Sequence, residues 1–440
     1  EQIGAQIFID GWAMVSPGDP DRAAALSEKA ARVSHDGEAV YGAIVMAVLE
    51  AMAFVEQDTN KLLDKALDYI PADSVIRRLI DDVRNWHAKE SDWRTTRETL
   101  AANYGYDKYG GNCHMVPNHG LIIHSLLHGE DDFSETMKII NTCGWDTDCN
   151  SGNVGCLMGI KNGIQGIDLG LNKGADWRGP VADRIYIPTA DPTWGISDCA
   201  REAVEIINSG RALVAEELWQ PKDKAQFHFE FPGSVQGFTV TGGSGEIANA
   251  EGHSSLGQRS LRLQGGGETR FGTPVFTPSV ETARYFDGKG YSLMASPRVY
   301  PGQTISGRVS GSGSVNLYIA SYGESDEVVI SRGDSVEISD DGVGISMLVP
   351  QVHPVFEIGV ELADAGVVFL DYLGWSGEPD VTFQQPTAPM GKNPASMWRR
   401  AWVNGVDELW TFVESFRLMQ NEGRGLVIQG TRDWHNYNVT

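Results

Sequence analysis

Along the first half of the chain, apolar residues recur at three- and four-residue spacing, the signature of helices with a buried face. Val40, Ile44, Val48, Leu49 and Met52 form such a face in the segment Glu38–Phe54, which follows Ser34-His35-Asp36-Gly37. Ile76, Leu79, Ile80 and Val83 repeat it after Ser74, a residue suited to cap a helix start. Asp19-Pro20-Asp21 opens an alanine-rich helix from Arg22 to about Val33. Further helices are expected over Asn60 to Asp68, Leu121 to Leu127, Phe133 to Asn141 and Asp198 to about Ala215. Residues 1–220 therefore predict an all-α region.

The period changes near Lys222-Asp223-Lys224. Short alternating runs follow: Phe227 to Phe231, Ser260 to Leu263, Val315 to Ile319 and Val367 to Tyr372, with Gly, Ser, Asn and Asp turns between them. Evenly spaced short strands predict a jelly-roll-like β-sandwich over residues 225–385. Gln385-Pro386-Thr387-Ala388-Pro389 reads as a linker. Residues 386–440 then hold this linker, a helix over 397–420 (Trp398, Trp402, Val403, Leu409, Phe412, Phe416) and, from Leu426, the start of a further β-region.

Charge removes whole classes of partner. The 440 residues include 35 Lys+Arg against 59 Asp+Glu, a net charge of −24. With no basic stripe interleaved with aromatics, a nucleic-acid duplex is not an expected partner. No apolar run is long enough to span a membrane, since Glu50 interrupts the best candidate, Val40 to Val55. The five cysteines (113, 143, 149, 156 and 199) form no CxxC pair and are odd in number, so they read as reduced thiols. Thiols favour the cytoplasm and an appended sandwich favours export, so the compartment stays open. Glu1-Gln2-Ile3-Gly4 has no initiator Met and no signal-peptide pattern, and both chain ends read as interruptions within something longer.

The strongest chemical signal is Cys143-Gly144-Trp145-Asp146-Thr147-Asp148-Cys149-Asn150-Ser151-Gly152. Two carboxylates two residues apart in a glycine-flanked turn can face one side, and they repel each other unless something positive lies between them. Oxygen donors without paired His or thiolate ligands favour Mg2+, Mn2+ or Ca2+. The alternative is that one aspartate merely caps the following helix. That helix carries Gly152, Gly155, Gly159 and Gly163, a series expected to press closely on a neighbour. Asn112 and His114, shortly before the motif, are candidates to line the same pocket.

Gly144-Trp145-Asp146-Thr147-Asp148 with Gly155 and Gly159 resembles the metal motif of the ADP-ribosylglycohydrolase family, usually Gly-Gly-Asp-Thr-Asp-Thr/Ser before a glycine-spaced helix. Ser34-His35 at a helix start is similar to that family's Ser/Thr-His element. The resemblance covers about residues 1–215, corresponding to the later part of the family's domain. It implies an all-α catalytic domain that holds two Mg2+ ions (Mn2+ being the substitute) in a cleft and cleaves an N- or O-glycosidic bond at a ribose-like C1. Asp146 and Asp148 would be the metal ligands and catalytic carboxylates, with His35 lining the substrate cleft. The expected substrate is an ADP-ribosyl or other ribofuranosyl-type compound.

The chain differs from the family's pattern at two positions: Cys149 stands where a hydroxyl is usual, and Trp145 replaces a glycine and would line the pocket. The family's early Thr-Asp-Asp run has no counterpart in this chain, which implies that the N-terminal part of the catalytic domain was removed or belongs to a separate N-terminal fragment completing the site. Two alternatives stay open: a hydrolase of another furanoside or nucleoside-like glycan, and a non-catalytic homologue that binds ADP-ribose or a sugar.

Other residues invite weaker readings. His114, His119, His124 and His128 suggest zinc by spacing, or else polar and capping roles, with His119 starting a helix. Tyr104, Tyr106 and Tyr109 among glycines either stack on a base or sugar or close the bundle. The extended segment from Pro188 to Gly195 carries no clear chemistry, and its Trp194 either flanks the cleft or packs. In the sandwich, His253, Tyr285, Tyr291, Tyr318, Tyr322, Tyr372 and Trp375 include candidates for a sugar platform.

Overall fold

The computed structural model describes residues 1–187, 194–276, 297–322, 327–352 and 354–380, together with the backbone of two strands at 416–420 and 426–430. The chain divides into two compact units: residues 1–180 with 204–219, and residues 181–203 with 220–440.

The first unit is helical. Its elements are α1 (Gly4–Ile7), α2 (Asp10–Met14), α3 (Pro20–Ala31), α4 (Glu38–Ala53), α5 (Thr59–Leu67), α6 (Val75–His87), α7 (Trp93–Tyr104), α8 (Met115–His128), α9 (Phe133–Thr142) and α10 (Thr147–Asp168). Side-chain caps set several starts: Asp19 accepts from Arg22 N, Asp58 from Asn60 N, Ser74 from Arg77 N and Asp132 from Glu135 N. Helix α4 is the axis of the bundle, with thirteen of its sixteen residues buried. It therefore has no single apolar face; α1, α2, α3, α5 and α8 cover it on several sides. The N-terminal residues pair with the start of α8, Ile3 N donating to Cys113 O (2.7 Å) and Met115 N to Glu1 O (2.8 Å).

Two helix expectations need correction. Helix α8 starts at Met115, before His119, because His114 caps it by accepting from Val116 N at 3.2 Å. The glycines of α10 do not mark a close approach. A Cβ at Gly152 or Gly159 would meet nothing within 4 Å, and at Gly155 it would meet only Met137. Gly163, at φ +63°, instead kinks the helix.

The second unit begins with a hairpin, β1 (Arg184–Tyr186) against β2 (Ile196–Asp198), followed by α11 (Cys199–Leu213), whose residues from Val204 on are assigned to the first unit. Then come β3 (Thr239–Gly242), β4 (Gly245–Glu251), β5 (Arg259–Gly265), β6 (Arg270–Pro274), β7 (Thr304–Gly311), β8 (Ser314–Tyr322), β9 (Val328–Arg332), β10 (Val336–Glu337), β11 (Val343–Leu348), β12 (Val355–Leu362) and β13 (Gly366–Ser376). They form two antiparallel sheets, β10-β8-β12-β6-β3 with β9 also on β8, and β11-β7-β13-β5-β4. The inward alternation of Leu261, Leu263, Val309, Leu317, Ile358 and Leu370 fills the space between them. This is the expected sandwich.

Phe227 to Phe231 is not a strand. Phe227 makes one isolated bridge to Leu373, Phe229 lies at φ +59°, and Gln236 Oε1 accepts the N–H groups of His228 and Phe229 in place of a ladder partner. The helix expected over 397–420 does not reach its last residues. There β14 (Phe416–Gln420) pairs antiparallel with β15 (Leu426–Gly430), so local strand pairing overrides the helical spacing. The remainder of that segment, the linker from Pro386, and the extended run from Pro188 to Thr193 lie outside the described residues. Among the described residues, no helix is long and apolar enough to cross a membrane.

Candidate active site

The acidic motif sits on a strained turn between α9 and α10. Gly144 and Trp145 are both left-handed, at φ +80° and +60°. That conformation is easy for glycine and costs an L-residue with a Cβ about 1–2 kcal/mol. Trp145 is held there by its ring, which stacks on Tyr106 (centroids 5.1 Å apart, 29° between planes) and takes the Arg97 guanidinium over it at 5.0 Å. Arg97 also donates to the Cys143 carbonyl at 3.1 Å, tying α7 to the turn.

After this turn, Asp146 occupies the N-cap position of α10 but makes no side-chain cap hydrogen bond. Its Oδ2 is buried and has no hydrogen-bond partner. A donor atom of Asp146, one of Asp148 and Cys149 Sγ all lie within 4.8 Å of one another, with Asp148 exposed. The capping alternative for Asp146 thus fails on geometry. A buried carboxylate oxygen without a donor, next to a second carboxylate, is an arrangement that a hard cation would complete. Cys149 fits such an ion less well. Burial, reinforced by the adjacent Asp146 carboxylate, pushes its thiol up to about 12, and burial and Asp146 also raise Cys113. Both sulfurs are therefore protonated neighbours of the carboxylate.

Asn118 organises this corner. Its Oδ1 accepts from Asp146 N (3.2 Å) and Asn150 Nδ2 (2.9 Å), and its Nδ2 donates to Tyr106 Oη (2.8 Å) and the His114 carbonyl (2.9 Å). Asn118, Arg97 and Cys113 were not candidates from sequence, because no motif or periodicity distinguishes a buried amide, an arginine or a lone cysteine from ordinary structural residues.

The other expected site residues are distributed around this corner. Trp145 and Tyr106 stand beside the carboxylates. Asn112 is exposed, next to Cys113. The His114 ring caps α8 and packs on Tyr109 (5.3 Å), so it reaches the site only through its backbone carbonyl on Asn118. His35 packs against α1: its ring lies under Gly4 and 6.4 Å from Phe8, with Nδ1 2.8 Å from Ser34 Oγ. Among the described residues, no hydrogen bond or ion pair links His35 to Asp146 or Asp148.

The histidine group is structural. His119 is completely buried, with Nδ1 2.6 Å from Gln6 Oε1, while His124 and His128 share Thr96 Oγ1 at 3.3 and 2.8 Å. Burial lowers all three, His119 and His124 to about 3 and His128 to about 4. Tyr104 and Tyr109 stack on each other and pack with the helical core. Trp194 holds the Arg201 guanidinium over its ring at 3.6 Å.

In the sandwich, Tyr318 and Tyr322 are core residues and Trp375 packs against the core. Tyr285 and Tyr291 lie outside the described residues. His253 and Tyr372 remain at the surface, joined by Phe369, on which His253 stacks at 3.5 Å. Phe369 and Tyr372 alternate with buried Val368, Leu370 and Leu373, and their cross-strand neighbours are Arg262 and Arg308.

Residues 4–207 match the model of a family described as ADP-ribosylglycohydrolase. No curated relative matches the chain. Among solved structures, a xylan-binding CBM22-1 domain of Paenibacillus barcinonensis Xyn10C is 16% identical, with a TM-score of 0.25, covering 34% of this chain and 90% of that one. The C-terminal family 22 carbohydrate-binding module of Clostridium thermocellum Xyn10B is 18% identical (TM-score 0.26), covering 36% and 93%. A family 29 carbohydrate-binding module, CBM29-2, is 12% identical (TM-score 0.24), covering 34% and 83%.

Proposed function

Because residues 4–207 match the family model described as ADP-ribosylglycohydrolase, we propose that the helical unit is a metal-dependent glycohydrolase cleaving an N- or O-glycosidic bond at a ribose-like C1. The observation that carries this reading is the Asp146 carboxylate, whose buried Oδ2 has no hydrogen-bond partner, grouped with Asp148. These two residues would hold Mg2+, two ions in our reading, with Mn2+ as substitute. When bound, the ions supply Lewis-acid stabilisation, an anchor for sugar hydroxyls and a more acidic water. The two carboxylates also favour the oxocarbenium-like charge that develops at C1 as the bond breaks. Trp145 and Tyr106 would form an aromatic wall for the sugar or its base, and Asn118 holds Asp146 in place.

Among the described residues, two carboxylates are grouped here, and water or substrate oxygens would complete much of the shell of each Mg2+. In our reading a separate fragment supplies further carboxylates. Intact-mass measurement of purified active material is expected to reveal that second species, and full activity from this chain alone overturns this part of the proposal.

The main test is Mg2+-dependent release of free ADP-ribose from a mono-ADP-ribosylated protein, compared with Asp146→Ala. Tight Mg2+-dependent ADP-ribose binding without turnover identifies a binding homologue instead. A second reading, a hydrolase of another furanoside or nucleoside-like glycan, is favoured by Trp145 narrowing the approach, and absence of any response to ADP-ribose supports it. For the sandwich, the outward row of Phe369 and Tyr372 flanked by arginines supports a sugar-contacting role. Affinity electrophoresis against a panel of soluble polysaccharides should show retardation that Phe369→Ala removes.

A further inference from the structure

A second constellation lies apart from the acidic turn, within the same helical unit. Asp10 in α2, Glu50 in α4 and Cys156 in α10 bring two carboxylate oxygens and a sulfur within 4.8 Å of one another. Glu50 is completely buried in the most apolar helix of the bundle, and neither of its carboxylate oxygens has a hydrogen-bond partner. Asp10 is aimed by a chain of buried groups. Asn153 Nδ2 donates to it at 2.7 Å, Asn153 Oδ1 accepts from Gln6 Nε2 at 3.1 Å, and Gln6 Oε1 meets His119 Nδ1. Among the described residues, no Lys or Arg pairs with either carboxylate. With both groups ionised, Glu50 has neither a hydrogen-bond donor nor a counter-charge and faces the Asp10 carboxylate, a costly arrangement.

We propose that Asp10, Glu50 and Cys156 bind a divalent cation of the zinc class at a site separate from Asp146 and Asp148. The donor set selects the ion. A thiolate favours borderline-soft metals over Mg2+ or Ca2+, and mixed sulfur and carboxylate ligation suits zinc. Three ligands from three different helices leave a fourth tetrahedral position for water. Asp10 and Cys156 are only partly buried, so the ion and its water have a way in. Asn153 plays the outer part, orienting a ligand through a hydrogen bond, as partners of metal ligands commonly do. Binding displaces the Cys156 proton to solvent. The competing arrangement is a carboxyl pair that shares one proton and needs no ion.

Co2+ serves as the probe, titrated into the full chain after removal of metals with a chelator. A thiolate-to-cobalt charge-transfer band that Zn2+ displaces is expected, its amplitude corresponding to one sulfur-bound ion per chain. The band should survive Cys149→Ser and Asp146→Ala and disappear in Cys156→Ser, with folding of each variant checked by circular dichroism. Asp10→Asn keeps the shape of the residue and should weaken Co2+ binding about tenfold or more. Zn2+ should raise the Tm of the native protein more than that of Cys156→Ser. Absence of the band, its persistence in Cys156→Ser, or a native Tm unaffected by Zn2+ overturns the proposal in favour of the shared proton. Because the readout excludes Cys149 and Asp146, failure here leaves the glycohydrolase reading untouched.

Discussion

Asn118 accepts the backbone N–H of Asp146 through the same Oδ1 that holds Asn150. One buried amide on α8 thereby sets the direction in which the acidic turn enters α10. Substituting Asn118 by Ala or Leu removes this positioning without touching a carboxylate. Mg2+ affinity, read by isothermal titration, should fall roughly 10- to 100-fold, the usual range for outer-sphere partners of metal ligands. An unchanged titration would show that Asp146 needs no such support.

Asp146→Ala should abolish turnover and weaken Mg2+ binding while leaving the fold intact. The buried Oδ2 has no hydrogen-bond partner, and loss of the Cys113 and Cys149 thiol contacts is offset by relief of repulsion from Asp148, so in metal-free buffer the Tm should change little. A large fall in Tm would mean that Asp146 serves the fold.

Trp145→Gly tests the aromatic wall and the strained turn together. Glycine relieves the left-handed strain of about 1–2 kcal/mol, but the variant loses the Tyr106 stack and the Arg97 contact. Since those contacts are worth a similar amount, stability should change by less than about 1.5 kcal/mol in urea titrations. KM should change more than kcat if the ring contacts substrate, and equal falls in both would place it elsewhere.

The buried histidines predict acid sensitivity. His119 and His124 titrate near 3 in the folded chain because burial opposes their charge, and near 6.5 when unfolded. Between those values the unfolded state binds more protons. Stability is therefore fully present above about pH 6.5 and is lost as pH falls towards 3, by up to about 1.4 kcal/mol per pH unit for each histidine. His124→Gln should narrow the gap between urea midpoints measured at pH 7 and pH 5. An unaltered gap would place the uptake elsewhere.

Within the sandwich, the Lys222 ammonium is completely buried, 2.8 Å from Asp371 and 3.1 Å from Glu230, and it also donates to the Arg259 and Asp371 carbonyls. Lys222→Met leaves two carboxylates without their cation. A loss of about 3–5 kcal/mol is expected, readable by thermal melting as a transition of the sandwich, and a neutral result would refute this account of the pair.

The helices, the sandwich and the acidic motif were legible in the chain because each is written locally. Three-to-four spacing marks α4 and α6, two-residue alternation marks β5, β8 and β13, and Asp146 and Asp148 stand two residues apart shortly after Gly144. Some local signals misled. Phe227 to Phe231 alternates like a strand, yet Gln236, from outside the segment, takes its N–H groups. The α10 glycines suggested close packing where the helix face is open. What tertiary structure alone decided are the relations between distant positions. Asn118 meets Asp146 across 28 residues, Tyr106 stacks on Trp145, and Asp10 and Glu50 converge on Cys156 from three helices. Sequence carries periodicity and local chemistry, because these depend on neighbours in the chain. Which buried polar atom finds a partner, and which is left waiting for one, depends on how helices cross, and only the folded packing determines that.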